Sequence, residues 1–272
     1  MDEQQRKQMI RQAFDTVAAG YDHPALAFFP QTAAQMIERL DPPPHAHLLD
    51  VCTGTGVVAL AAAEKMPAGQ VTGVDLSSGM LAQAQAKALD RGLTNIEFVH
   101  SDLAHLDYPA QHFDLVTSSF GLFFMDDMAQ ALRHMLGMLR PGGYIAISSF
   151  IDNAFNPMSD IFLQRYESFG KQVPPLSWKR LSNETLIEEL FSGADLEAPS
   201  FYRLPLGFDM TSADNWWDIV WNAGFRGLLN QLSEEEQRLF KQQHFEEINQ
   251  LCAQQPVWLD TGVILAIARK PE

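Results

Sequence analysis

Cysteine is scarce in this chain: 272 residues contain two, Cys52 and Cys252. They lie far apart and neither belongs to a metal-type spacing, so a reducing compartment is the expectation. Basic residues are also few, 19 Lys and Arg against 34 Asp and Glu, which gives a formal charge of −15. No Lys/Arg cluster occurs, so the footprint of a nucleic-acid partner is missing. The acidic balance disfavours docking on anionic membranes. No apolar run approaches the ~20 residues of a transmembrane helix. The N-terminus, Met1-Asp-Glu-Gln-Gln-Arg-Lys, lacks the apolar core of a signal peptide. A cytoplasmic protein with no membrane insertion is expected. Internal repeats, low-complexity tracts and the Gly-x-Ser-x-Gly elbow of a hydrolase are absent as well. Hydrophobic residues make up 46% of the chain, enough for a real core, in one large domain with an insertion or in two small ones.

The pattern along the chain has three textures. Residues 3–40 read as helical, with Ile10, Phe14 and Val17 at helical spacing and a break at Tyr21-Asp-His-Pro24. Asp41-Pro-Pro-Pro44 then acts as a stiff spacer. From 46 to 150, strands and helices alternate. Strands are expected at 46–51, 70–75, 95–100, 112–118 and 143–150, and helices at 56–66, 78–91 and 126–138. That alternation implies βαβ units and a mostly parallel sheet. Arg140-Pro-Gly-Gly143 reads as the turn that stops the last of these helices. From 151 to about 250 the chain is mostly helical, with capped starts at Ser182, Thr211-Ser212 and Ser233 and an extended piece at 199–208. It closes on one long strand pattern over 257–268.

The densest signal is His47-Leu-Leu-Asp50-Val-Cys-Thr-Gly54-Thr-Gly56. It reads as a buried strand ending in a carboxylate, then a tight glycine turn, then a helix start. Asp75 ends the next strand pattern and Asp102 follows the third, so three acids are expected at one edge of one sheet. Gly54-Thr-Gly56-Val-Val-Ala59 fits the dinucleotide fingerprint G-x-G-x-x-A, so an NAD(P)-dependent oxidoreductase is one reading. A dinucleotide brings a diphosphate to the helix N-terminus, where Asp50 would repel it. A ligand with a cationic end suits that carboxylate better. Asp75 discriminates nothing, because an acid there suits a ribose diol in either case.

These segments resemble the class I S-adenosylmethionine-dependent methyltransferases. Leu49-Asp-Val-Cys-Thr-Gly-Thr-Gly56 is similar to their glycine loop, with Cys52 where the first glycine usually stands. Val74-Asp-Leu-Ser-Ser-Gly-Met-Leu81, His100-Ser-Asp-Leu103, Phe113-Asp-Leu-Val-Thr-Ser-Ser119 and Leu139-Arg-Pro-Gly-Gly-Tyr144 resemble later motifs in order. Within that family the chain looks most like the small-molecule enzymes that C-methylate ubiquinone and menaquinone precursors. The resemblance implies a Rossmann-like, doubly wound, seven-stranded sheet, mostly parallel with an antiparallel last strand, plus a helical cap insertion. It implies a division into an N-terminal lid (1–44), a core (45–150), a cap with one core strand (151–255) and a closing strand (256–272). It implies S-adenosylmethionine as cofactor and S-adenosylhomocysteine as product. Asp50, Thr53, Gly54 and Gly56 would take the methionine end. Asp75 would bind the ribose, Leu76 and Met80 the adenine face, and Asp102 and Leu103 the adenine edge. Ser118 would face the methyl-bearing side, and Tyr21 would close over the cofactor. A non-catalytic module that binds S-adenosylmethionine remains a further alternative.

Methyl transfer asks the protein mainly to position the acceptor. A base helps if the acceptor is a phenol or an enolisable carbon. Tyr21 and His23 are the catalytic candidates, with Arg203 or Asp209 in the cap as others. Trp216, Trp217 and Trp221 either line an aromatic acceptor pocket or pack as core. His45 and His47 make a poor metal site, and none is expected. The partner is expected to be a small molecule of aromatic or apolar character.

Overall fold

In the computed structural model, which describes residues 3–272, Leu48 and Leu49 on β1 (His47–Val51) are both fully buried. Successive strand residues face opposite sides of a sheet, so β1 must be covered on both faces. The two leucines do join different cores, Leu48 with residues such as Met36 and Leu49 with residues such as Met135. Met1 and Asp2, the start of the expected lid, lie outside the described residues.

The chain begins with α1 (Glu3–Val17) and α2 (Phe28–Leu40), with short 3-10 turns between them at Ala18–Gly20 and Pro24–Leu26. After β1 come α3 (Val57–Lys65), β2 (Gln70–Asp75), α4 (Ser78–Asp90), β3 (Ile96–His100), β4 (Phe113–Ser119), α5 (Met128–Met138) and β5 (Leu139–Phe150). The mainly helical region that follows holds α6 (Met158–Ser168), α7 (Glu184–Ser192), β6 (Ser200–Leu204), β7 (Gly207–Met210), α8 (Ala213–Asn222), α9 (Arg226–Leu229) and α10 (Glu234–Cys252). The chain closes with β8 (Val257–Asp260) and β9 (Val263–Arg269). The main sheet has seven strands in the order β3-β2-β1-β4-β5-β9-β6. The pairings from β3 through β5 are parallel, and β9 runs antiparallel to both β5 and β6. The expected sheet is therefore present, with β6, from the region after β5, at its edge.

The chain winds outward from β1 in one direction, then returns to start β4 on its other side. Such a reversal leaves a crevice at the carboxyl ends of the two strands.

Three local expectations need correction. The long strand over 257–268 is two strands, because the chain changes sheets at Thr261-Gly262. β8 pairs with β7 in a separate two-stranded sheet. A Cβ at Gly262 would lie 2.7 Å from Ile151 Cδ1, so a side chain there has no room. The α7 cap is Asn183, whose side chain accepts the Leu186 N–H at 3.0 Å, whereas Ser182 turns to Asp152. The Arg140–Gly143 turn is a detour within β5, where the pairing with β4 shifts between Phe113 and Leu115. Ser212 and Ser233 both close capping boxes, with Asn215 and Glu236. Among the described residues no helix is long and apolar enough to cross a membrane.

Candidate active site

The crevice holds a cavity of about 400 Å³ at the carboxyl ends of β1, β2 and β4. Asp50, Thr53, Gly54, Asp75, Leu76, Met80, Asp102 and Leu103 all line it, as do Tyr21 and His23 from the N-terminal segment. The three strand-end acids thus share one cavity. They differ in what surrounds them.

Asp50 is 1% exposed and accepts the hydroxyls of Thr53 at 2.6 Å and Thr117 at 2.7 Å. Burial pushes it up to about 6 in spite of those donors. Asp75 braces the loop: Oδ2 accepts the Gly54 N–H and Oδ1 the Ser77 N–H, each at 2.8 Å. Burial raises its proton affinity too, against those N–H groups. Asp102 shifts the other way. Burial alone would raise it, but the Lys7 ammonium at 2.7 Å and the Ala104 N–H hold it below the usual carboxylate range.

The glycine loop is built for close backbone approach. Gly54 has φ +56, and a Cβ placed there would meet nothing within 4 Å, so the loop presents bare backbone to open space. Gly56, at φ +82, does not line the cavity. A Cβ there would lie 3.0 Å from Ala84 Cβ, so this glycine lets α3 start close against α4. Cys52 keeps the left-handed backbone a glycine would favour, at φ +58. Its room comes from Gly121, where a Cβ would sit 2.4 Å from Cys52 Cβ. Burial, then the nearby carboxylates, push the Cys52 thiol up, so it stays protonated and unreactive.

The N-terminal segment is tied to this loop by side chains that the sequence pattern did not single out. Asp15 on α1 accepts the Ser77 hydroxyl at 2.5 Å and the Gly79 N–H at 3.0 Å, adding a carboxylate at the start of α4. Asp22 accepts Thr55 Oγ1–H at 2.8 Å and the Lys87 ammonium at 2.7 Å. Lys7 reaches Asp102, as above. Nothing local in the sequence marks these pairs, which join positions more than thirty residues apart.

Tyr21 stacks on Phe29 with ring centroids 5.0 Å apart. Burial and the charges of Asp75 and Asp22 raise its phenol, so it is a donor and not a base. His23 Nδ1 accepts the Ala25 N–H at 3.2 Å, capping the short turn that follows. That hydrogen bond leaves the neutral ring with a proton on Nε2, a donor without a free lone pair. Ser118 is fully buried with an unpartnered hydroxyl, and it is Ser119, Phe120 and Gly121 that reach the cavity wall.

A second cavity of about 200 Å³ adjoins the first, and Phe14, Tyr21, Phe29, Phe120 and Phe124 border both. Its walls are mostly aromatic, with Phe28, Phe150, Phe155 and Trp178 among them, and Tyr21 is its sole titratable lining residue among the described residues. The three tryptophans flagged in the sequence lie elsewhere. Trp216 is buried in the cap with its indole N–H on His244 Nε2 at 2.9 Å, and Trp217 and Trp221 stack on each other. Arg203 is exposed and pairs with Glu184, and Asp209 lies on β7, so neither reaches either cavity. The signal for the aromatic cavity was the doubled Phe28-Phe29 and Phe123-Phe124 among 18 phenylalanines. No group of three or more His, Cys, Asp or Glu placed to hold a metal occurs among the described residues.

Comparison with known proteins agrees with this geometry. Residues 48–143 match a family described as a methyltransferase domain. The chain is 33% identical over 175 residues to the ubiquinone/menaquinone biosynthesis C-methyltransferase UbiE of Pseudomonas putida (strain W619), covering 62% of this chain and 67% of that one. It is also 33% identical over 150 residues to the aklanonic acid methyltransferase DauC of Streptomyces sp. (strain C5), covering 55% of this chain and 68% of that one. Among solved structures, the YcgJ protein of Bacillus subtilis superposes with a TM-score of 0.59 at 21% identity, over 89% of this chain and 99% of that one, a likeness of fold.

Proposed function

The chain belongs to the S-adenosylmethionine-dependent methyltransferases of small-molecule type, and from that premise we propose that the aromatic cavity receives the methyl acceptor beside the cofactor crevice. The observation that carries this reading is the shared wall of the two cavities, at Phe14, Tyr21, Phe29, Phe120 and Phe124. The oxidoreductase and non-catalytic readings are set aside.

The crevice fits the cofactor on its own chemistry. Each Asp75 oxygen accepts one backbone N–H and retains a second acceptor position, which suits the two ribose hydroxyls. Asp50 offers a buried carboxylate to a cationic end, and the bare Gly54 backbone leaves room for close approach. Met80 and Leu76 would cover the adenine, and Asp102 and Leu103 would meet its edge. When bound, S-adenosylmethionine supplies an activated methyl electrophile, so the protein need only position the nucleophile and exclude water.

We assign the N-terminal segment, 1–44, as a lid whose Lys7, Asp15 and Asp22 grip loops of the cofactor crevice. The 151–255 region serves as the cap that closes the acceptor side. Tyr21 acts as a hydrogen-bond donor at the junction and His23 as one in the cofactor crevice, and together they help orient the acceptor. With no base in the apolar cavity, the acceptor should carry an already acidic position, such as a phenol or the carbon between two carbonyls. The names of UbiE and DauC point to ubiquinone/menaquinone biosynthesis and to aklanonic acid, and an aromatic wall suits a planar, apolar acceptor. A net charge of −15 supports a partner other than nucleic acid, and two unpaired cysteines support the cytoplasm as the location.

The test is S-adenosylhomocysteine release from S-adenosylmethionine across a panel of polyhydroxylated naphthalenes, quinols and 1,3-diketones. Turnover confined to planar members supports the cavity assignment. Turnover of hydrophilic acceptors alone, such as amines and sugars, would overturn it.

A further inference from the structure

Trp178, in the wall of the aromatic cavity, carries a polar group that packing does not explain. Its Nε1 is buried without any hydrogen-bond partner. A buried indole N–H normally finds an acceptor. The ring meets Phe150, Phe155 and Phe225 edge-on, with centroids 6.2, 5.9 and 6.0 Å away, and none of these offers a conventional acceptor.

Trp178 is also held in place. It sits in the 3-10 turn Ser177–Leu181, and the neighbouring Arg180 donates to the carbonyls of Phe123 at 2.9 Å, Met125 at 2.5 Å and Asp126 at 3.0 Å. Lys179 and Ser182 tie the same turn to Asp152. The turn is therefore clamped to the segment after β4, the segment that also walls the cofactor crevice. A donor fixed in this way is pre-organised for a ligand atom.

We propose that Trp178 is the acceptor-anchoring residue: its indole N–H hydrogen-bonds an oxygen on a planar aromatic substrate lodged in the cavity. The inference rests on the acceptor assignment made above and deepens it. Indole N–H donates only, so the ligand atom must be an acceptor, a carbonyl or hydroxyl oxygen. The surrounding rings supply apolar contact to the rest of the molecule, and the oxygen sets its orientation toward the cofactor side.

A matched pair of probes tests this, 2-acetylnaphthalene against 2-ethylnaphthalene, which differ by a carbonyl in place of a methylene. Binding is measured by equilibrium dialysis with S-adenosylhomocysteine present, for the unaltered protein and for Trp178→Phe, which keeps a ring and removes the donor. The unaltered protein should hold the ketone about fivefold more tightly. In the variant the preference should vanish, the ratio of the two affinities falling to about one whatever apolar contact both probes lose, with S-adenosylhomocysteine affinity unchanged. With 15N-labelled tryptophan, one indole N–H resonance should move downfield with the ketone and not with the hydrocarbon, a readout that needs no variant. Equal binding of the two probes to the unaltered protein, or a preference that survives Trp178→Phe, would overturn the anchoring role and leave the cavity assignment standing. Binding of neither probe would sink both.

Discussion

Asp75→Ala separates the ribose role of this carboxylate from its role in the loop. Its two oxygens each accept one backbone N–H at 2.8 Å, from Gly54 and Ser77. The acceptor positions left over are those assigned to the ribose hydroxyls. Losing hydrogen bonds to a charged group should cost about 1.5–3 kcal/mol of cofactor binding, roughly a 10- to 150-fold weakening. The substitution also orphans two N–H groups, which should cost about 1–3 kcal/mol of stability without ligand. Removal of a buried charge, which burial already disfavours, offsets part of that loss. Titration calorimetry with S-adenosylhomocysteine reads the first effect, and urea unfolding without ligand reads the second. A lower urea midpoint with affinity unchanged within about threefold would place the ribose elsewhere and reduce Asp75 to a loop brace.

Other perturbations read other parts of the site. Gly54→Val should fold, since a Cβ there meets nothing within 4 Å, with about 1–2 kcal/mol of left-handed strain. It should nevertheless abolish S-adenosylhomocysteine binding in calorimetry. Gly224 lines the aromatic cavity and likewise has open space at its Cβ. Gly224→Phe should raise the acceptor KM by about tenfold or more through lost room, with S-adenosylhomocysteine affinity unchanged. Asp50 sits at about 6 when folded, against a usual 3.8, so its stabilising contribution is full below about pH 4 and is lost as pH rises through 6. If Asp50 holds the cofactor's ammonium end as proposed, binding needs the ionised carboxylate, so affinity should fall about tenfold per unit below pH 6, and Asp50→Asn should flatten that profile. His244 behaves oppositely: burial lowers it from 6.5 to about 4, so its contribution is present above about pH 6.5 and is lost as pH falls through 4. His244→Leu should lower the urea midpoint at neutral pH, because Trp216 loses its acceptor, and should remove roughly 3 kcal/mol of acid sensitivity between those values.

Periodicity and strand-end acids made the core legible, because a parallel sheet writes its pattern locally: Leu48-Leu49 buried on both faces, then a glycine loop, then a helix. The acids also come together as expected. What their environments would be was not legible. Asp50, Asp75 and Asp102 form one pattern in the sequence, yet burial pushes the first two up while Lys7 pulls the third down. Lys7 lies on α1, and only the folded chain sets it beside Asp102. The aromatic cavity has the same character. Phe29 comes from α2, Phe120 from the end of β4, Phe150 from β5 and Trp178 from the cap, with no shared period to announce them. The tryptophans that did carry a local signal, Trp217 and Trp221 at i and i+4, stack on each other, the first buried and the second exposed, away from both cavities.

The charge of the crevice explains why a dinucleotide motif here serves a cationic donor. Gly54, Gly56 and Ala59 would admit a diphosphate on shape alone. Asp50 and Asp75 both line the cavity beside that loop. Arg6, Lys7, Lys87 and Arg91 also line it, and each is paired with a carboxylate, Asp126, Asp102, Asp22 and Glu64, while Arg11 lines it without a carboxylate partner among the described residues. A diphosphate would have to approach two buried carboxylates with all of those cations but Arg11 already neutralised, and in a site of low dielectric that repulsion is costly. A sulfonium and an ammonium meet the same carboxylates as attraction. Burial sharpens the choice, because it raises Asp50 and Asp75 toward protonation, and a cationic ligand recovers the ionised form that an anionic one would suppress. Selectivity between two cofactors that share a loop shape is therefore set by the acids at the strand ends.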